Sequence, residues 1–171
     1  GMLTGCYDIK HAYANVKGVY TNTGPTDAYR GAGRPEAAYL IERLVDKSAR
    51  VLGISPVEIR EINLINKSQM PYKTALGHTY DSGDFIKNLK DATILANFKS
   101  FDNRRKESLR DGFLRGIGIS TYIEACGGGG PEFATVTVGK NGNISVKIGT
   151  QSNGQGHETS YAQIVLSLIH I

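Results

Sequence analysis

Between residues 35 and 111 the apolar positions of this chain recur every three or four residues, and beyond residue 112 they recur every second residue. One period cannot serve both kinds of element, because side chains return to the same face every 3.6 residues in a helix and every 2 in a strand. The switch therefore predicts helices in the N-terminal two-thirds, then a small antiparallel sheet with a C-terminal helix. Helices followed by strands point to an α+β class rather than alternating α/β. The expected parts are residues 1–111, mostly helical, and residues 112–171, a hairpin part with a glycine loop and a helix.

Local signals sharpen this outline. Residues 7–20 read as extended or irregular, with "GVYTNT" a short strand. Pro35 suits the first turn of a helix over 35–52, and Gly53 suits its end. Ala38, Ile41, Val45 and Ala49, with Leu44 and Leu52, form its apolar stripe. Ser55, Pro56 and Glu58 predict a capping box on the next helix, whose apolar side is Val57, Ile59, Ile62 and Leu64. A polar loop covers 66–83. "DSGDF" caps a third helix through Asn97, and 97–110 either continues it or forms a fourth. The latter carries a basic face of Lys99, Arg104, Arg105 and Lys106, with Phe98 and Phe101 facing the core. "LRGIGISTYIEA" reads as a strand. In "EFATVTVGKNGNISVKIGT", Val136 and Val138 face Ile144, Val146 and Ile148 across a corner at Asn141 and Gly142.

Composition narrows the class of function. Of 171 residues, 40% are hydrophobic, enough for a packed core, and the net charge of +4 is only mildly basic. So small an excess only weakly favours anionic partners, the leading expectation is no nucleic-acid partner, and the lack of a long apolar run predicts no membrane partner. Two distant cysteines, Cys6 and Cys126, argue against a disulfide framework and for a cytoplasmic location. His11, His78, His157 and His170 lack metal-ligand spacing, so no metal site is expected from them. "CGGGG" at 126–130 reads either as a substrate-lining turn or as a surface loop.

Two loops could carry chemistry. In "AYRGAGRPEA", Arg30, Gly31, Ala32, Gly33 and Arg34 stand at the mouth of a helix. Glycine lets backbone N–H groups approach a ligand, a helix start attracts anions, and arginine matches phosphate or carboxylate with two donors. The competing reading pairs Arg34 with Glu36 or Glu42 and leaves the glycines to turn the chain. In "GTQSNGQGHET", Gly154, Gln155 and Gly156 lie where a strand crosses to a helix, beside Gln151, Ser152 and Asn153. Side-chain amides bring acceptors as well as donors, which suits a heterocycle better than a bare phosphate. Here the competing reading is a plain hairpin-to-helix turn capped by Ser152 or Asn153. On the residues alone, the alternative reading is a freestanding anion- or nucleic-acid-binding module.

The segments "TNTGPTDAYRGAGRPEAAYLIERLVDKSARVLGISPVEIREINLI", "MPYKTALGHTYDSGDF", "GIGISTYIE" and "GTQSNGQGHETSYAQI" occur in this order. Together they resemble the molybdopterin-binding large subunit of the molybdenum hydroxylases: xanthine dehydrogenase, aldehyde oxidase and aerobic carbon monoxide dehydrogenase. The resemblance implies a molybdenum-dependent oxidoreductase that hydroxylates an aldehyde or heterocycle with water-derived oxygen. It places Arg30, Gly31, Ala32 and Gly33 beside the cofactor on one side, and Gly154, Gln155 and Gly156 against its pyranopterin on the other. It further implies molybdopterin, or its cytosine dinucleotide form, with iron–sulfur clusters and FAD on partner subunits. Copper-containing carbon monoxide dehydrogenases are expected to carry "AYRCSFR" where this chain has "AYRGAGR", so the soft thiolate for Cu(I) is missing at Gly31. Subunits of this family are several times longer and their catalytic glutamate lies beyond these residues. The chain is thus expected to be an internal piece, inactive by itself, with uncovered apolar surface open to self-association.

Overall fold

The computed structural model describes residues 2–26, 29–125 and 130–169. Its elements are α1 (Arg34–Leu52), α2 (Pro56–Asn63), β1 (Tyr72–Lys73), β2 (Thr79–Tyr80), α3 (Phe85–Leu95), α4 (Phe101–Arg110), β3 (Ala134–Val138), β4 (Ile144–Ile148) and α5 (His157–Ile169). The class is α+β. Contacts divide the chain into two compact units, Gly1–Glu124 and Ala125–Ile171. The change of sequence texture at residue 112 and this division are different things, because residues 113–124 stay with the helices.

In the first unit, Pro35 and Gly53 bound α1 as the sequence suggests. Gly53 is left-handed and returns its N–H to Ala49 and Arg50. Ser55 caps α2 through Val57 N and Glu58 N. The reciprocal bond expected from Glu58 is absent among the described residues; a full capping box forms instead at Asn66 and Gln69, over a short 3₁₀ turn. Asp84 caps α3 through Lys87 N at 3.1 Å. A left-handed Asn97 and one 3₁₀ turn then separate α3 from α4. Arg104 donates to the last carbonyls, Ala96 O at 2.9 Å and Asn97 O at 2.8 Å.

The start of the chain threads this unit. Asp8 N donates to Asn63 O at 2.8 Å and Ile65 N to Cys6 O at 2.9 Å. Cys6, Tyr7, Leu64 and Leu89 form one core cluster, with Ile41, Val45 and Ile119 packed against it. Ile65, Tyr72 and Tyr80 form a second. The segment expected to be a polar loop holds the β1–β2 pair, which sets Tyr72 opposite Tyr80 and turns both rings inward. Of the predicted stripes, Leu44, Leu52 and Ile62 are exposed, while Glu42 and Arg60 are buried in their stead.

Two predicted strands are not strands. "GVYTNT" and "LRGIGISTYIEA" form no ladder among the described residues, and the first bends at Asn22 and Thr23. The second is held by side chains, as described below. In the second unit, β3 and β4 pair antiparallel, with Val138 opposite Ile144 and Val136 opposite Val146. Gly139 N donates to Asn143 O and Gly142 N to Gly139 O, so the corner spans 139–143, with Gly142 left-handed at φ 82°. One face of this hairpin is apolar and partly exposed; the other carries Thr135 opposite Lys147 and Thr137 opposite Ser145. The Cys126 turn, residues 126–129, lies outside the described residues, as does His170.

Candidate functional site

The first loop is built on left-handed backbone. Gly31, Ala32 and Gly33 have φ of 91°, 44° and 86° in succession. Ala32 N donates to Tyr29 O at 2.7 Å and Arg34 N to Gly31 O at 2.9 Å. Among the described residues the N–H groups of Gly31 and Gly33 take no backbone carbonyl. Concave nests of N–H groups that suit anions form where right- and left-handed residues alternate, and here the step from left-handed Gly33 into helical Arg34 has that form. Gly33 is the N-cap of α1 and supplies no side-chain cap, and the one acidic residue in the first turn is Glu36. A Cβ at Gly33 would meet nothing within 4 Å. Arg30 is exposed on the same loop. Arg34 pairs with Glu124 at 3.0 Å, not with Glu36 or Glu42.

The second loop is laced by its own amides. Gln155 Nε2 donates to Gln151 O at 3.1 Å, and Gln155 Oε1 accepts from Asn153 N. Neither Ser152 nor Asn153 caps the helix; α5 starts from Gly156, whose carbonyl accepts from Ser160 N at 3.0 Å. Gly154 and Gly156 have φ of 84° and 77°, and a Cβ at Gly156 would meet open space. Beside this loop lies a hollow of about 290 Å³ lined by Val146, Ile148, Thr150, Ser152, His157 and Tyr161. His157 stacks on Tyr161 with ring centroids 4.7 Å apart, and its Nδ1 is buried without a partner among the described residues. A larger hollow of about 660 Å³ between α2 and α3, over Val57, Ile94 and Phe98, contains none of the predicted site residues.

The charged centre of the first unit escaped the sequence reading. Glu42 on α1 accepts from Arg60 Nε at 3.0 Å and Arg60 Nη2 at 2.7 Å. It also accepts from Thr121 N at 2.9 Å, from Thr121 Oγ1 at 3.2 Å and from the Tyr7 hydroxyl. Arg60, fully buried, donates in addition to Asp46 at 2.9 Å, Pro56 O at 2.8 Å and Ile119 O at 3.0 Å. Burial works against the Arg60 charge, but its bonds to Glu42 and Asp46 and the nearby Tyr7 outweigh that cost and its pKa is raised. Burial, reinforced by the bond to Glu42, also raises the Tyr7 phenol. Burial and then the Glu42 charge push the Cys6 thiol up to about 12. A charged residue inside an apolar stripe, Glu42 between Ile41 and Val45, was the one signal available. The hub fastens residues 119–121 to the helices, and residue 124 then meets Arg34 at the first loop.

A second polar cluster sits where the chain leaves the core at Asp8. Lys10 donates to it at 2.6 Å, Tyr72 at 2.6 Å and Gln69 at 3.2 Å. These bonds, led by Lys10, lower the Asp8 carboxyl to about 2. Burial and then the bond to Asp8 raise Tyr72 to about 12. Among the described residues no group of histidine, cysteine and carboxylate side chains could hold a metal ion. No helix among them is long and apolar enough to cross a membrane.

Two family profiles described as "Molybdopterin cofactor-binding domain" match the chain, one over residues 1–64 and one over 92–171. The carbon monoxide dehydrogenase large chain of Hydrogenophaga pseudoflava is 38% identical over 98% of this chain and 23% of its own length. Among solved structures, a Cu,Mo-CO dehydrogenase matches with a TM-score of 0.76 and 33% identity over 96% of this chain and 23% of its own. Quinoline 2-oxidoreductase from Pseudomonas putida 86 matches with a TM-score of 0.77 and 30% identity over 96% of this chain and 22% of its own. The chain thus spans less than a quarter of the length of these relatives.

Proposed function

The chain belongs to the molybdopterin cofactor-binding domain family, and from that premise we propose that it is part of the catalytic subunit of a molybdenum hydroxylase acting on an aldehyde or N-heterocycle. The observation that carries this reading is the positive-φ loop at 31–33 leading into a helix with no side-chain cap, a helix start of the kind that attracts an anion. A phosphorylated pterin cofactor is such an anion, and the bare surfaces over Gly33 and Gly156 leave room for close approach. When bound, the cofactor supplies the two-electron acceptor for the substrate. Arg30, Gly31, Ala32 and Gly33 would hold it through N–H groups and the guanidinium. Gly154, Gln155 and Gly156 would hold it through backbone, with the Gln155 amide keeping the loop in shape. The catalytic carboxylate would come from outside these residues, and FAD, iron–sulfur clusters and any cytosine dinucleotide extension would belong to the assembled enzyme.

Gly31 supports heterocycle or aldehyde chemistry over carbon monoxide chemistry. No thiolate stands there to hold Cu(I), and a Cβ would lie 2.5 Å from Pro35 Cγ at a φ of +91°. The test is to purify the longer subunit containing this chain, co-expressed with its partners, and measure molybdenum content and substrate-dependent dye reduction. Stoichiometric molybdenum and turnover of a quinoline-type heterocycle or an aldehyde, without carbon monoxide oxidation, is the expected result. A folded subunit that never retains molybdenum, or one that oxidises carbon monoxide, overturns the reading.

A further inference from the structure

A run of positive-φ residues does not hold itself. Ala32 has a φ of 44°, between Gly31 at 91° and Gly33 at 86°, and a side chain in that region persists only where its surroundings enforce it. One such tie comes from residues 119–124. Ile119, Thr121 and Ile123 are half-buried, while Ser120, Tyr122 and Glu124 between and after them are exposed. Ile119 packs on the cluster around Cys6 and Tyr7, and Ile123 packs on that cluster and on the one around Tyr72 and Tyr80. Thr121 is pinned to Glu42, in the middle of α1, through its N–H and its hydroxyl. Glu124 then meets Arg34, the first residue of α1, with Oε1 3.0 Å from Arg34 Nε. Two turns of helix rise about 11 Å, and the chain from Thr121 to Glu124 reaches about 10 Å. One short strap thus pins α1 at its middle and at its mouth.

We propose that Glu124 is a positioning residue for the bound cofactor and acts through Arg34. The proposal rests on the functional reading above, in which residues 30–33 hold an anionic pterin. Arg34 is where the loop closes: its N–H donates to Gly31 O at 2.9 Å, just after Ala32 N donates to Tyr29 O at 2.7 Å. Holding the Arg34 side chain therefore holds the end of the loop. Glu42, nearer in sequence, cannot take this role, because its oxygens already accept from Arg60, Thr121 and Tyr7. The pairing also decides what Arg34 does with its charge. Drawn to a carboxylate, the guanidinium is compensated. Released, it would be a loose cation at the helix mouth, able to hold an anion away from the Gly31–Gly33 backbone. An amide at position 124 keeps the shape of the side chain but not the charge that draws Arg34 to it.

Amide hydrogen exchange in the 171-residue chain and molybdenum release from the longer subunit test the proposal. In Glu124→Gln, the Ala32 and Arg34 amides should exchange about three- to fivefold faster, the upper range for an exposed ion pair. The amides of Ala49 and Leu64 should keep their parental rates, which separates loop positioning from a general loss of stability. Arg34→Gln should match Glu124→Gln, and the double variant should be no faster than either, because one contact can be lost only once. In the longer subunit, co-expressed with its partners, all three variants should release molybdenum faster than the parent and at the same rate as one another. A guanidinium that itself gripped the cofactor would make Arg34→Gln the worse of the two single variants. Parental exchange at Ala32 and Arg34 in Glu124→Gln, effects that multiply in the double variant, or acceleration at Ala49 and Leu64 as well overturns the proposal. Molybdenum release at the parental rate, or faster from Arg34→Gln than from Glu124→Gln, overturns it too, and all of these leave the functional reading standing. A parent subunit that never retains molybdenum overturns both.

Discussion

Replacing Glu42 with glutamine keeps its shape and removes its charge from the middle of five donors. The amide offers one oxygen and one NH₂ group. Whichever way it turns, its N–H groups face either Arg60 and Thr121 N or the hydroxyls of Tyr7 and Thr121. Arg60, with no exposed side-chain surface, is left with Asp46, which is itself 26% exposed, and two carbonyls. Removing one partner of a buried ion pair costs about 3–5 kcal/mol, and the surviving Asp46 contact places Glu42→Gln near ~3 kcal/mol. With a urea dependence of about 1–3 kcal/mol per molar, the midpoint should fall by roughly 1–3 M. Urea titration followed by tyrosine fluorescence suits the chain, which has nine tyrosines and no tryptophan. Hydrogen exchange at the Thr121 amide should rise together with this loss, since that N–H donates directly to Glu42. A Glu42→Gln protein within ~0.5 kcal/mol of the parent, the range of ordinary surface changes, would refute the hub as the fastening of residues 119–121.

Asp8→Asn should destabilise the chain at neutral pH and converge with the parent in acid. The Asp8 pKa is lowered to about 2, so its contribution is complete above the unfolded value of ~3.9 and is lost as pH falls through the folded value. Urea midpoints at several pH values check this, and a gap that widens toward pH 2 contradicts it. Cys6 is buried and its thiol is raised to about 12, so in a Cys126→Ser background alkylation near pH 8 should be slow until denaturant is added, when it should approach the rate of a free thiol. Rapid labelling of the native chain would count against this packing. Gly31→Cys should lower the thermal midpoint, as a residue forced into this backbone costs about 1–3 kcal/mol, and added Cu(I) should not restore it. An unchanged melting curve would show that the loop tolerates a side chain there.

What the residues disclosed and what they concealed follows their physics. Local rules sufficed for α1, α2, α3 and the β3–β4 register, because Pro35, Gly53, Ser55, Asp84 and the alternating valines each act within a few positions of themselves. They misjudged residues 113–124, since β-branched content predicts an extended chain but not whether a neighbour supplies a ladder. The segment joins no ladder among the described residues and is anchored by Glu42, 79 residues upstream of Thr121. They also misplaced the stripe of α1: Leu44 and Leu52 face solvent because Glu42, with a cation waiting on α2, takes the buried position. At the candidate site, the glycine and arginine spacing pointed to the two loops. The folding back of Gln155 onto Gln151 could not be read from spacing, as an amide side chain satisfies its own loop or a ligand equally well.

Position 31 is obstructed twice, by the sign of its torsion and by the ring of Pro35. A one-letter exchange there is consequently not a swap of one ligand atom for another. To admit a thiol, the loop would have to hold a side chain at a positive φ, as it does at Ala32, and also move the Pro35 ring at the entry into α1. Mutational searches that seek new metal chemistry at this single residue should instead recover destabilised proteins, and any successful conversion should carry a compensating change at Pro35.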